Sequence, residues 1–374
     1  MSTETGFFSD EKCFWHIGGN FVEVLPVGGW VQPSSGSGLA EAPETKRRFR
    51  NLLETSGLLE KLVTGKAAPL NQEDLLRVHT KRYLDEFKTL SDQGGGVLDP
   101  TAPMGPGSFE IAKTSAGLVY AAVESVMRGQ LANAYALSRP PGHHCLPDQA
   151  MGFCFLSNIA VAIEKAKADL GLQKVAVIDW DVHHGNGTQA AFYERADVFT
   201  VSIHQDACFP PGYSGDKEFG EGAGKGYNLN IPLQPGAGHE VYQYAFETMI
   251  LPALREYKPD LILVASGFDA SGLDPLARML LHSESYRWMT EAVKSVAEEV
   301  CNGRLVIAHE GGYSEAYVPF CGLSVVETLA NTKTQVEDPA LALLKLQQPS
   351  DRFNRFQKDL LDEQVKHWQA VKFG

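Results

Sequence analysis

A chain of 374 residues, 44% of them apolar and 10% aromatic, can bury a substantial core as one large α/β domain or two average ones. Its formal net charge of −13 argues against a nucleic-acid backbone as partner, and no apolar run approaches the ~20 residues that a bilayer crossing needs. Met1 to Lys12 carries acids and no secretory apolar stretch, and Cys13, Cys145, Cys154, Cys208, Cys301 and Cys321 contain no CxxC pair. Reduced cysteines, no membrane partner and a cytoplasmic location are therefore the expectation.

In chain order, residues 1 to about 50 are rich in Gly, Pro and Ser, with Gly28-Gly29-Trp30 and Pro33-Ser34-Ser35-Gly36. They read as a long irregular segment serving a rim or an interface. A second loop is expected over 91–108, with Gly94-Gly95-Gly96 and Gly105-Pro106-Gly107. Helical periodicity falls on 109–128, 157–170, 239–257, 284–301 and 352–373, and short apolar runs read as strands fall on 132–138, 174–180, 197–204, 260–267 and 304–309. The alternation predicts an α/β fold of βαβ units, with a mostly parallel sheet covered by helices on both faces. With no internal repeat and no low-complexity linker, one domain is the better count. The terminal stretch 352–373 carries Phe353, Phe356, Leu360, Val365, Trp368 and Val371 near helical spacing, which suits docking on the body or on another subunit.

The chemistry sits just after the strands. Val175-Ala176-Val177-Ile178 runs into Asp179-Trp180-Asp181-Val182-His183-His184-Gly185-Asn186-Gly187, where alternate side chains let Asp179, Asp181 and His183 converge or nearly so. Three further strand ends carry Arg139-Pro140-Pro141-Gly142-His143-His144, Phe268-Asp269-Ala270-Ser271 and Glu310-Gly311-Gly312-Tyr313. In an open parallel sheet, ligands bind beyond the carboxyl ends of the strands, so all four segments are expected on one rim.

Asp181, His183 and Asp269 form a two-carboxylate, one-imidazole set suited to a catalytic Zn²⁺ with an open position for water. His143 and His144 suit proton transfer, and Tyr313, beside two glycines, suits hydrogen bonding to a developing oxyanion. Together these parts describe metal-assisted hydrolysis of an amide. Each segment has a plainer reading alone: capping aspartates, a structural turn at His143-His144, a packing tyrosine.

These segments, together with Gly152-Phe153-Cys154 and Gly267-Phe268-Asp269, match in order and spacing those of the zinc-dependent histone deacetylase family, over about residues 20–330. Asn186 and Gly267-Phe268-Asp269 resemble the class II branch, and the whole is most similar to bacterial histone deacetylase-like amidohydrolases. The resemblance implies an arginase/deacetylase fold with a central eight-stranded parallel sheet, and one Zn²⁺ on Asp181, His183 and Asp269. It implies that His144 is the main general base and acid, oriented by Asn186, and that His143, oriented by Asp179, is more electrostatic. Many relatives carry Asp where this chain has Asn186, so the proton affinity of His144 is expected to be lower here.

The resemblance also implies structural K⁺, one ion on Asp179, Asp181, His183, Ser202 and Ile203, and a second on carbonyls near Phe192, Arg195, Val198 and Tyr227. It implies an acyl-lysine channel with Gly152 and Phe153 on one side. Across it, Pro210 is expected at the aromatic position, with Phe209 beside it. Leu276 falls at a rim position that is Glu in polyamine-deacetylating relatives, and Asp99 is a candidate rim carboxylate for gripping substrate backbone.

Three rivals follow. A binuclear manganese ureohydrolase shares the fold but needs carboxylates where this chain has Gly185 and Ser271. An acetylpolyamine amidohydrolase uses the same zinc chemistry on a small cation. A non-catalytic acyl-lysine binding module would keep the channel while losing a ligand or the tyrosine. The expected substrate is acetylated lysine in a peptide or protein, or a small acylated amine, with homo-oligomers possible.

Overall fold

The computed structural model describes residues 2–19, 21–27, 31 and 38–373. Of the early loop, Gly28-Gly29-Trp30 and Pro33-Ser34-Ser35-Gly36 lie outside the described residues. Eight parallel strands make the central sheet: β1 (Thr5–Phe8), β2 (Val63–Gly65), β3 (Asn133–Ala136), β4 (Val175–Asp179), β5 (Val198–Gln205), β6 (Asn228–Leu233), β7 (Leu261–Ser266) and β8 (Leu305–His309). Their order across the sheet is β6-β5-β4-β7-β8-β3-β1-β2, and every pairing is parallel. This is the arginase/deacetylase arrangement.

All five expected strands are present, and the expected helices appear as Ser108–Met127, Asn158–Leu170, His239–Tyr257, Ser283–Cys301 and Asp351–Gln369. The third changes pitch midway: Leu251 N–H reaches back five residues to the carbonyl of Phe246, a π turn just before Pro252, which has no N–H to offer.

Two expectations are corrected. Residues 1–50 are not wholly irregular, since they hold β1 and the start of the helix Pro43–Thr55. The four residues of β1 are too few to show periodicity, and the helix carries charge on six of its 13 positions, with Phe49 and Leu53 as its buried apolar anchors. Likewise 91–108 contains an antiparallel hairpin, Gly96–Asp99 with Ala102–Met104.

Alternation along β4 explains the two cores. Val175 and Val177 join the cluster built with the helices Ser108–Met127 and Asn158–Leu170. Ala176 and Ile178 join the opposite cluster, with Phe49, Tyr286 and Leu254. Both faces of the sheet are therefore dry, which is why its strands read as apolar runs.

The helix Asp351–Gln369 covers the edge strand. Gln364 donates its amide to the carbonyl of Asn230, Gln357 bonds both the N–H and the carbonyl of Gln234, and Trp368 is buried on Phe199. The Asn230 carbonyl of the edge strand and both backbone groups of Gln234 just beyond it are thereby satisfied internally. All six cysteines are free, and among the described residues no helix is long and apolar enough to cross a membrane.

Candidate active site

The four strand-end segments meet. Asp181 and His183 follow β4, Asp269 follows β7, and one donor atom from each lies within 4.8 Å of the others. His183 Nδ1 lies 3.1 Å from Asp181 Oδ1 and 3.2 Å from Asp269 Oδ2. The remaining carboxylate oxygens accept backbone N–H groups, Val182 on Asp269 Oδ1 and Gly311 on Asp181 Oδ2, which fixes both rotamers. Burial, and then the charge of Asp181 beside it, push the Asp269 carboxyl up to about 6. Two buried carboxylates and an imidazole at this spacing fit a divalent cation, which relieves their mutual repulsion.

The histidine pair sits against this cluster with ring centres 3.9 Å apart. His143 Nδ1 donates to Asp179 Oδ2 at 2.9 Å, and its Nε2 lies 3.8 Å from Asp181. Burial opposes the charge on His143, but Asp179 and Asp181 outweigh it and raise the imidazole to about 10. His144 goes the other way: burial and the imidazoles of His143 and His183 hold it well below its ordinary value. Its Nδ1 bonds Asn186 Oδ1 at 2.8 Å. A carbonyl oxygen can only accept, so the proton is on Nδ1 and the Nε2 lone pair is free. A charged and a neutral imidazole thus lie side by side, one a fixed positive charge and the other with a lone pair able to take a proton.

Tyr313 closes the far side of the site. Its ring lies 6.3 Å from that of His183 and 5.8 Å from that of Phe153. Burial and the carboxylates of Asp269 and Asp181 raise its hydroxyl well above 10, so it stays protonated as a donor. A methyl at Gly311 would come 2.2 Å from Asp269 Oδ2 and 3.1 Å from the Tyr313 hydroxyl, so this position has room for glycine alone.

A cavity of about 220 Å³ leads to these groups, lined by Phe153, Phe209, Leu276, Cys208, His144, His183 and Tyr313 among others. A Cβ on Gly152 would strike the His144 ring at 2.3 Å, so glycine lets the wall pack directly against His144. Phe153 adopts a left-handed backbone, φ 64°, held by bonds from Gly152 and Phe153 N–H to Thr101. Across the cavity the aromatic wall is Phe209, whose ring lies 4.8 Å from that of His144. Pro210 is not among the lining residues, which corrects the expectation for it. Asp99 is also outside the lining: Oδ1 accepts from Thr101 N and Oγ1, and Oδ2 accepts from Gln149.

Of the residues expected at the first K⁺ position, Asp179 and Ser202 are paired across adjacent strands, with Ile203 the next residue of β5. In the second set the Phe192 carbonyl accepts from Arg195 N–H and the Tyr227 carbonyl from Thr200 N–H, with Val198 at the start of β5.

The sequence motifs concealed three supports. Arg139, fully buried, donates to Glu41 through Nε at 3.0 Å and to the carbonyls of Cys13 and His16 at 3.0 and 2.9 Å, tying the histidine loop to the N-terminal segment. Glu310 Oε2 accepts from Gly142 and His143 N–H at 2.7 and 3.1 Å. Asp274 accepts from Tyr313 N–H. Arg139 and Glu310 were visible as motif members, but their tasks are long-range contacts that no local pattern reveals.

Residues 40–329 match the histone deacetylase domain. The chain is 59% identical over its whole length to a histone deacetylase-like amidohydrolase of Pseudomonas aeruginosa, covering 97% of that protein. It is 37% identical over 87% of its length to histone deacetylase 8 of Arabidopsis thaliana, covering 89% of that chain. The crystal structure of the HDA15 HD domain superposes with a TM-score of 0.83 at 29% identity, covering 99% of this chain and 96% of that one. On this evidence the chain belongs to the histone deacetylase family and is a hydrolase acting on amides.

Proposed function

We propose that this hydrolase removes acetyl groups from acetyl-lysine side chains, using one Zn²⁺ on Asp181, His183 and Asp269 with K⁺ as a structural ion. The observation that carries the reading is the channel: an apolar tube between Phe153, Phe209 and Leu276, with no carboxylate in its lining among the described residues, ending at His144, His183 and Tyr313. Such a wall suits a neutral acylated alkyl chain better than a cationic polyamine. A bound Zn²⁺ supplies Lewis acidity, making water a nucleophile and polarising the acyl carbonyl. The free Nε2 of His144 takes the water proton and later delivers it to the leaving nitrogen as the C–N bond breaks, giving acetate and amine. His143, held charged by Asp179, stabilises the negative charge that develops nearby. Tyr313 donates its O–H to the carbonyl oxygen as that oxygen becomes an oxyanion. The chain acts as one domain in the cytoplasm, and its net charge of −13 speaks against nucleic acid as a partner.

Hydrolysis of small acetylated polyamines is the second reading. It is favoured by Asp99, whose two oxygens are engaged by Thr101 and Gln149 instead of being free for a peptide backbone. Acetate release from an acetyl-lysine peptide and from acetyl-putrescine, by metal-stripped and zinc-reconstituted enzyme, separates the two. Zinc-restored activity favouring the peptide is expected, a preference for acetyl-putrescine moves the function to polyamines, and silence on both refutes the deacetylase reading.

A further inference from the structure

We infer that Asp274 is a positioning residue that holds Tyr313 in its working place and ties it to the channel wall. The inference rests on the reading of Tyr313 given above.

The segment Glu310–Ser314 lies outside any helix or strand and contains two consecutive glycines, with Gly312 at φ 116°. Such a stretch has little intrinsic reason to keep one conformation. Its first part is pinned through Gly311, whose N–H donates to Asp181 Oδ2 at 2.8 Å and whose carbonyl accepts from Phe268 N–H at 3.1 Å. Regular turn bonding resumes at Tyr317, whose N–H donates to the Ser314 carbonyl. Between these anchors, the N–H of Tyr313 donates to Asp274 Oδ2 at 2.8 Å. The other oxygen, Oδ1, accepts from Leu276 N–H at 2.9 Å. Asp274 is buried, and its partners Tyr313 and Leu276 both line the substrate cavity, although Asp274 itself does not. One carboxylate therefore holds the turn that carries Leu276 and ties it to the loop that carries Tyr313. A carboxylate is the only common side chain of this size that accepts at both ends. Asparagine must turn its NH₂ towards one of the two N–H groups and lose that bond.

Asp274→Asn and Asp274→Ala are compared with Tyr313→Phe, each alone and combined, in zinc-reconstituted full-length enzyme. Losing the hydroxyl in Tyr313→Phe should lower kcat about 10²- to 10³-fold. Misplacing the hydroxyl in Asp274→Asn should lower kcat roughly 10- to 100-fold, with most of the effect on kcat and little on KM. Zinc stoichiometry should be unchanged. The decisive readout is the double variant: if Asp274 acts through Tyr313, Asp274→Asn adds less than about twofold on the Tyr313→Phe background. An equal loss in both backgrounds, or a loss of zinc, makes Asp274 a general structural residue and overturns the inference.

Should Asp274→Ala not fold, the near-isosteric asparagine variant decides alone, and hydrogen exchange of the Tyr313 amide in the wild type gives a check without mutation. A protected amide supports the bridge; exchange at the rate of an open loop refutes it. The two readings fail separately. Near-normal turnover in Tyr313→Phe removes the tyrosine and this inference together, whereas an impaired Tyr313→Phe with a normal Asp274→Asn removes the inference alone.

Discussion

Individual residues in this site work by holding opposite protonation states at short range. His143 and His144 are chemically identical neighbours, yet one is paired with a buried carboxylate and the other with a neutral amide. Replacing Asn186 by Asp would place a negative charge beside His144 Nδ1 and stabilise its imidazolium. The base form would then be populated only at higher pH, so Asn186→Asp should move the acid limb of the kcat/KM profile upward. An unshifted limb would mean that His144 is not the base that the profile reports. Leu276 lines the cavity, and on the proposed function its lack of charge bears on substrate choice in the same local way. Leu276→Glu should raise the acetyl-putrescine to acetyl-lysine ratio of kcat/KM roughly 10-fold, the equivalent of one ~1.4 kcal/mol charge contact. No change in the ratio would remove position 276 from substrate selection.

At the scale of elements, a buried charge cluster joins the histidine loop to the N-terminal segment and the helix Pro43–Thr55. Glu41 lies 3.0 Å from Lys46 Nζ and is bonded to Arg139, with all three side chains buried. Burial alone would raise the Glu41 carboxyl, but Arg139 and Lys46 outweigh it and lower it to about 2. A carboxylate lowered on folding adds stability above its unfolded value near 4.5, and that stability is lost as pH falls towards 2. His16 and His79, buried and lowered to about 3 and about 4, act in the same direction. The unfolded chain binds their protons first, so they cost stability as pH falls below about 6.5. Glu41, His16 and His79 should therefore make stability fall from about pH 6.5 downward, and His143, raised to about 10, should make it fall again as pH rises from about 6.5 towards 10, as followed by thermal melts across the range. Glu41→Gln strands two buried cations and should cost about 3–5 kcal/mol at neutral pH. A melting temperature equal to wild type would show the cluster to be solvated.

For the whole molecule, the parallel sheet delivers the ends of β3, β4, β7 and β8 to one edge, and the site exists only where they meet. The Asp181, His183 and Asp269 cluster concentrates negative charge there, so a bound cation should stabilise the fold as well as the reaction. Chelation should lower the melting temperature and one equivalent of Zn²⁺ should restore it; a melt indifferent to metal would contradict the ligand set. The sequence by itself determined the strand-end chemistry, because Asp179 to Asn186, His143-His144, Asp269 and Tyr313 are short continuous motifs after apolar runs long enough to register. It also determined the central strands, whose both-face burial leaves an unbroken apolar signature. Only the tertiary structure decided the rest. Thr5–Phe8 and Val63–Gly65 are strands because neighbours complete them, not because of their own pattern. Phe209, and not Pro210, became the channel wall, since orientation within a turn is set by what packs around it. Arg139, Glu310 and Asp274 owe their tasks to partners tens of residues or more away, and a linear pattern does not encode which backbone N–H or carbonyl will be left needing them.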